Sequence, residues 1–215
     1  MPDDVKRNEQ STRRRAARVA HTEDRIIDAA TGLFLADGYV ATTLAAVAEA
    51  ADVGARTVYV RFGTKAELFK RVVDVAIVGD TAPVDVLGRE PMTTALRAPT
   101  AAERIAAGAA MGRGIMARTG ALFAVAQQAA AVEPLIEGYW QQGREQSRHT
   151  QRVFWTAMAD DGLLDPSVDL DRLIDTVSVI GAAETFLLIT RMLGWSLDAY
   201  EEWLRDTLTR LAGLH

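Results

Sequence analysis

From Thr22 onward, apolar residues recur at spacings of three and four, alanine-rich runs fill the intervals, and alternating β-branched stretches are few. The pattern predicts an all-α chain. In its first unit, over 22–37, Ile26, Ile27, Ala30, Leu33 and Phe34 fall on one face, and Gly38 is placed to end the helix. A turn over 39–42 follows. Thr43 is then the expected N-cap of a short helix through Ala50, and after Asp52, Val53 and Gly54 a second short helix is expected to about Arg61. Thr64 and Glu67 have capping-box spacing and open a helix to about Val78.

Residues 80–99 hold Pro83, Pro91 and Pro99 with little periodicity, which is loop composition and separates the chain into two parts. Thr100 and Glu103 form a second capping box. Helices are expected over 101–118, 120–131, 134–161, 169–193 and 197–212, divided by short Gly, Pro and Asp turns. The sequence shows no internal repeat.

Composition narrows the class. The chain has 215 residues, 49% apolar and 25% charged, which fits one large or two small globular domains and excludes a disordered or collagenous chain. With no cysteine, a disulfide framework, a cysteine zinc site and a thiol nucleophile are excluded. Residues 1–20 carry Lys6, Arg7, Arg13, Arg14, Arg15 and Arg18 but lack the apolar core of a secretory signal, so the expected location is cytoplasmic. Asp175 and Glu184 interrupt the longest apolar stretch, 173–190, which weighs against a membrane span and for a buried helix. The net charge of −5 argues globally against a nucleic-acid partner. Split by position the picture changes. Residues 1–71 hold 12 basic and 10 acidic side chains, while 72–215 hold 12 and 19, and all three lysines (Lys6, Lys65, Lys70) lie in the first part.

Two short helices joined by a tight turn have the dimensions of a helix-turn-helix. The run from Arg25 to Phe69 resembles the N-terminal domain of TetR-family transcriptional regulators. It does so through Ile26, Ala29, Ala30, Leu33, Phe34, Gly38, Tyr39, Thr42, Thr43, Val47, Ala48, Ala51, Val53, Thr57, Val58, Tyr59, Phe62, Lys65, Leu68 and Phe69. Two positions depart from that family: Asp52 stands where the turn usually has glycine, and Gly54 where the recognition helix usually has a serine cap. Asp tolerates the left-handed conformation, so the turn should survive, but the missing hydroxyl removes a cap. Periodicity turns Val53, Val58 and Phe62 inward and leaves Arg56, Tyr59 and Val60 outward. An arginine there can bond guanine O6 and N7, and a valine can touch a thymine methyl. The resemblance implies phosphate contacts at Thr43, Thr57, Tyr59 and Lys65. With Gly54 and Ala55 at the helix start, these residues are the expected DNA-facing set. Arg13, Arg14 and Arg15 have two open readings, a solubilising tail or an arm in the minor groove.

The expected organisation is a basic flexible arm over 1–21, a DNA-binding domain over 22–71, and a regulatory and dimerisation domain over 72–215. In the last, the segment 169–193 is apolar nearly all round, and Tyr200, Trp203, Leu204, Leu208 and Leu211 form a stripe on the final helix. The resemblance implies that these two helices pair with a second copy, giving a homodimer on a pseudo-palindromic double-stranded operator; the alternative is that the stripe is internal core. Along the helix from Pro134 the stripe Ile136, Trp140, Gly143, Ser147, Thr150, Phe154 and Met158 has small or polar residues where a bundle wants bulk. With Met111, Met116, Phe123, Gln127 and Glu184, the side chains of Trp140, Ser147, Thr150 and Phe154 are the candidate lining of a small-molecule effector site, which the resemblance also implies. The competing readings are ordinary core packing, a Glu184–arginine pair, and a solvent-facing stretch over 143–150.

No catalytic constellation emerges, and no metal or cofactor is expected. His21, His149 and His215 are far apart without carboxylates at ligand spacing, and Gly112-Arg113-Gly114 lacks the preceding strand of a nucleotide loop. The adjacent pairs Asp160-Asp161 and Glu201-Glu202 diverge on a helix. The sequence therefore reads as a DNA-binding regulator, a repressor released by a small apolar ligand. A DNA-binding dimer under a protein partner or acting architecturally, and a helical-bundle enzyme, are the rivals.

Overall fold

The computed structural model describes residues 2–82 and 84–214, with side chains described from Ala17 onward. The chain divides into two compact units, Met1–Val75 and Ala76–His215. Among the described residues every regular element is helical.

The first unit is built on α1 (Pro2–Ala41), α2 (Leu44–Ala50), α3 (Ala55–Phe62) and α4 (Lys65–Val78) as far as Val75. Helix α1 begins well before the Thr22 start that periodicity suggests; the side chains of Arg13, Arg14 and Arg15 lie outside the described residues. Gly38, at φ 78° and ψ 173°, breaks the helical backbone where a stop was expected, a conformation glycine adopts without Cβ strain. Ile26, Ala30, Phe34, Val47, Val58 and Leu68 are wholly buried. Phe69 packs edge-on against both Phe34 and Tyr39, with centroids 4.8 and 5.5 Å away. The expected caps are in place. Thr43 Oγ1 accepts from Ala46 N at 3.1 Å, and Thr64 and Glu67 each accept a hydrogen bond from the other's backbone N–H.

The second unit packs around α6 (Ala101–Ala130), with α5 (Glu90–Arg97), α7 (Pro134–Asp160), α8 (Leu170–Ile180), α9 (Ala183–Leu187), a π-helical turn over Leu188–Met192, and α10 (Leu197–Leu211). Four features differ from the sequence expectation. The stretch 80–99 is not all loop. Pro91 sits in the first turn of α5, where its missing N–H is harmless, and Met92 and Ala95 anchor the helix in the core. Thr119 and Gly120 do not divide α6, because both are buried inside one continuous helix. The segment 169–193 is not one helix but breaks at Gly181 and Ala182 with a 43° bend. Finally, Tyr200, Leu204 and Leu208 point into their own core, where Leu204 covers Gly112 of α6 and Tyr200 meets Phe186 edge-on at 5.0 Å. Three of the five stripe residues on α10 are thus internal packing, while Trp203 and Leu211 are half-buried.

No single helix among the described residues is long and apolar enough to cross a membrane. The bent pair of α8 with the α9 segment passes by length and composition, but it buries Leu173, Ile174, Val177, Phe186, Leu187 and Ile189 in the protein core.

Two quantities in this unit are testable. A Cβ on Gly120 would lie 2.5 Å from Phe186 Cε1, so Gly120→Ala must displace a buried ring. Overpacking of this kind typically destabilises by about 1–3 kcal/mol, more than alanine's helix propensity returns. Gly143, exposed on α7 with open space around its Cα, is the control: Gly143→Ala should stabilise by about 0.5–1 kcal/mol. Urea unfolding checks both, and a Gly120→Ala protein as stable as wild type would contradict this packing. Burial also pushes the Tyr200 hydroxyl from its ordinary 10.0 up to about 12. Over that interval the unfolded chain loses a proton that the folded chain keeps, so stability falls as pH rises from about 10 towards 12. Tyr200→Phe should flatten this alkaline loss in urea midpoints, and an unchanged slope would refute the assignment.

Candidate nucleic-acid interface

Helix α3 is eight residues long and inserts only Val58 and Phe62 fully into the core. Its opposite face is open: Gly54, Ala55, Arg56 and Thr57 are exposed, Tyr59 is 57% exposed and Val60 75%. Arg56 makes no ion pair and no side-chain hydrogen bond among the described residues, so its guanidinium fork is available to a partner. A valine and a tyrosine held out of the core beside an uncommitted arginine form a surface that protein stability does not require. They match the chemistry of a base-edge reader, with bidentate donors beside an apolar contact.

The turn ahead of α3 survives its unusual sequence. Asp52 takes φ 50°, the left-handed conformation, and Arg25 of α1 ties it down with hydrogen bonds to the carbonyls of Ala51 (2.5 Å) and Asp52 (3.1 Å) and to the Asp52 carboxylate (3.1 Å). Gly54 is the N-cap of α3 and supplies no side-chain cap, as its missing hydroxyl dictates. Lys65 is more committed than a phosphate contact requires. Its ammonium donates to the carbonyls of Tyr39 (2.8 Å) and Val40 (3.3 Å) and lies 4.3 Å from the Tyr39 ring centroid. An ammonium has three donors, so one remains for an anion while two hold the end of α1. Thr43, the N-cap of α2, is exposed.

Residues 26–72 match the family model for bacterial regulatory proteins of the tetR family, across the helices just described. Residues 26–72 are thus similar to the tetR-family regulatory domain. Helix α3 lies within the matched residues. Solved structures share the fold along most of the chain. A TetR-family transcriptional regulator from Mesorhizobium loti is 18% identical, with 90% of this chain and 96% of that one covered at a TM-score of 0.65. A TetR transcription regulator from Haloarcula marismortui is 14% identical, with coverages of 90% and 97% and a TM-score of 0.66. GusR of Salmonella enterica is 16% identical, with coverages of 89% and 95% and a TM-score of 0.61. No curated protein matches the chain by sequence.

In the second unit the residues expected around an effector scatter. Met116 and Phe154 are buried in the core, where the Phe154 ring covers Gly108. Met111, Phe123, Trp140, Thr150 and Glu184 are half-buried, and Phe123 meets Trp140 edge-on at 5.6 Å. Gln127 and Ser147 are exposed, because positions 141–149 of α7 all face solvent in the single chain. The small and polar residues there reflect hydration rather than a hollow in the bundle. Glu184 is not stranded either: it accepts from Trp140 Nε1 at 3.1 Å and from Arg144 Nε at 2.9 Å, with Arg144 Nη2 also in contact. Burial pushes this carboxyl upward, but the Arg144 hydrogen bonds and charge, a backbone hydrogen bond and the Trp140 hydrogen bond together hold it below its ordinary value.

Sequence reading passed over the residues that hold α3 in place. Arg25 reaches 27 positions along the chain to Asp52, and Glu23 of α1 meets Arg61 and Arg71, 38 and 48 positions away. The one local hint was Arg61, a basic residue in the last turn of a helix otherwise read as a DNA face. Among the described residues no group of three His, Asp or Glu side chains could hold a metal.

Proposed function

We propose that this chain is a TetR-family transcriptional regulator, a homodimeric repressor that binds a pseudo-palindromic operator through α3 and leaves it when a small, largely apolar effector binds the 76–215 unit. The observation that carries the DNA half is the exposed Arg56, Tyr59 and Val60 face on a helix whose other side is core. Thr43, Thr57 and Lys65 flank that face as phosphate contacts, which position the protein rather than select sequence.

Support for a homodimer comes from Val179, Leu188, Met192, Leu193 and Trp195, large apolar side chains 39–71% exposed in the single chain and gathered at the end of α8 and the segment after it. Large exposed apolar patches mark association surfaces. With Tyr200, Leu204 and Leu208 turned inward, the proposed contact surface rests mainly on this segment, the first of the two helical stretches expected to pair. The effector reading rests on the half-buried Met111, Phe123, Trp140 and Thr150 along α6 and α7, adaptable and aromatic side chains of the kind that line small-molecule sites.

Fluorescence anisotropy on a labelled operator tests the combined reading. An effector should weaken operator binding about 5- to 150-fold and quench tryptophan emission at Trp140. A library of apolar compounds that leaves both signals unmoved would favour the rival reading of a DNA-binding dimer without a ligand.

A further inference from the structure

Helix α3 has slender support: two fully buried side chains, no side-chain N-cap, and Gly63 directly after it. Its remaining tether runs through Arg61. The Arg61 guanidinium donates from Nη2 to the Glu23 carboxylate (3.2 Å) and to the Val19 carbonyl (2.8 Å), both on α1. The other oxygen of Glu23 accepts from Arg71 Nε (3.0 Å) and Nη2 (2.9 Å) on α4. All three side chains are largely shielded, with exposures of 25% for Glu23, 21% for Arg61 and 32% for Arg71. One carboxylate thus joins α1, the end of the recognition helix and α4. Two residues further along α1, Arg25 holds the turn at the start of α3. Residues two apart on a helix point to different sides, so α1 grips both ends of the reading helix.

We propose that Glu23 is a positioning residue for DNA reading: through Arg61 it fixes the pitch of α3, and hence the aim of Arg56, so that operator selectivity depends on a residue far in sequence from the base-reading face. The proposal rests on α3 being the reader. Bidentate base recognition tolerates little misplacement, whereas phosphate attraction tolerates a great deal. A loosened α3 should therefore lose operator affinity while keeping affinity for random DNA. Removing the carboxylate also makes the unit one charge more positive, which favours nonspecific binding.

The test compares Glu23→Gln, Arg61→Met, Arg71→Met and the double variant Glu23→Gln/Arg61→Met in full-length protein, by anisotropy on operator and on random DNA across a salt series, with thermal melts for each. Glu23→Gln should lower operator affinity about tenfold, the size of one charge-assisted hydrogen bond, with random-DNA affinity held or raised and the salt slope unreduced. Arg61→Met should reproduce the loss of selectivity, and the double variant should add nothing to it. Arg71→Met should lower the melting temperature while preserving selectivity. An unchanged operator-to-random ratio in folded Glu23→Gln overturns the proposal. Equal losses on both DNAs that track the folded fraction overturn it too, because they show stability alone. If the wild-type protein itself shows no operator preference, the reading of α3 fails instead, and the control separates the two failures.

Discussion

Arg56→Ala should lower affinity for the operator by about 1–3 kcal/mol, roughly 10- to 100-fold, and flatten the base preference at one position of each half-site. The reasoning is geometric. Arg56 lies on the exposed side of α3 and has no intramolecular partner among the described residues, so removing it takes nothing from the fold. The melting temperature should therefore stay at the wild-type value. Random-sequence DNA should lose far less, because nonspecific attraction is shared among many phosphate contacts. Lys65→Ala supplies the contrast. It should weaken every sequence alike and lower the melting temperature, since Lys65 also holds the Tyr39 and Val40 carbonyls. Anisotropy on point-substituted operators separates the two patterns, and equal losses on operator and random DNA for Arg56→Ala would remove it from base reading.

The second large effect is expected at the other end of the chain. Leu188→Glu combined with Met192→Glu should turn a dimer into a monomer and lower operator affinity about 100-fold or more, because two linked half-site contacts become one. Both side chains are more than half exposed in the single chain, so the charges enter water rather than core and the protomer should remain folded. At an interface the same charges would be buried without partners. Sedimentation velocity gives the mass directly. A double variant that still sediments as a dimer would place the contact surface elsewhere.

What the sequence disclosed was local. The capping box at Thr64, the N-cap at Thr100, the stop at Gly38 and the left-handed tolerance of Asp52 depend on neighbours within a few positions, and each is found where expected. The inward and outward faces of α3 follow from helical periodicity alone. What stayed hidden depends on which partner faces a residue. Gly120 looks like a helix breaker in sequence, yet it is the notch that admits Phe186, 66 positions later in the chain. Pro91 and its neighbours read as loop because a prolines-per-stretch criterion does not separate a helix start from a helix end. On α10, Tyr200, Leu204 and Leu208 show the same periodicity whether they meet a second copy or their own α6, and only the tertiary structure decides for the latter. The Glu23, Arg61 and Arg71 cluster has no sequence signature at all, since its members come from three helices.

The central claim is that α3 reads a symmetric DNA site. The most direct measurement is enrichment of bound sequences from a random double-stranded pool by the full-length wild-type protein. The expected product is a pseudo-palindrome whose half-sites lie about 34–36 Å apart, or a multiple of that distance, with a guanine at the position whose preference Arg56→Ala erases. A pool that shows no enrichment over its starting composition would contradict the account.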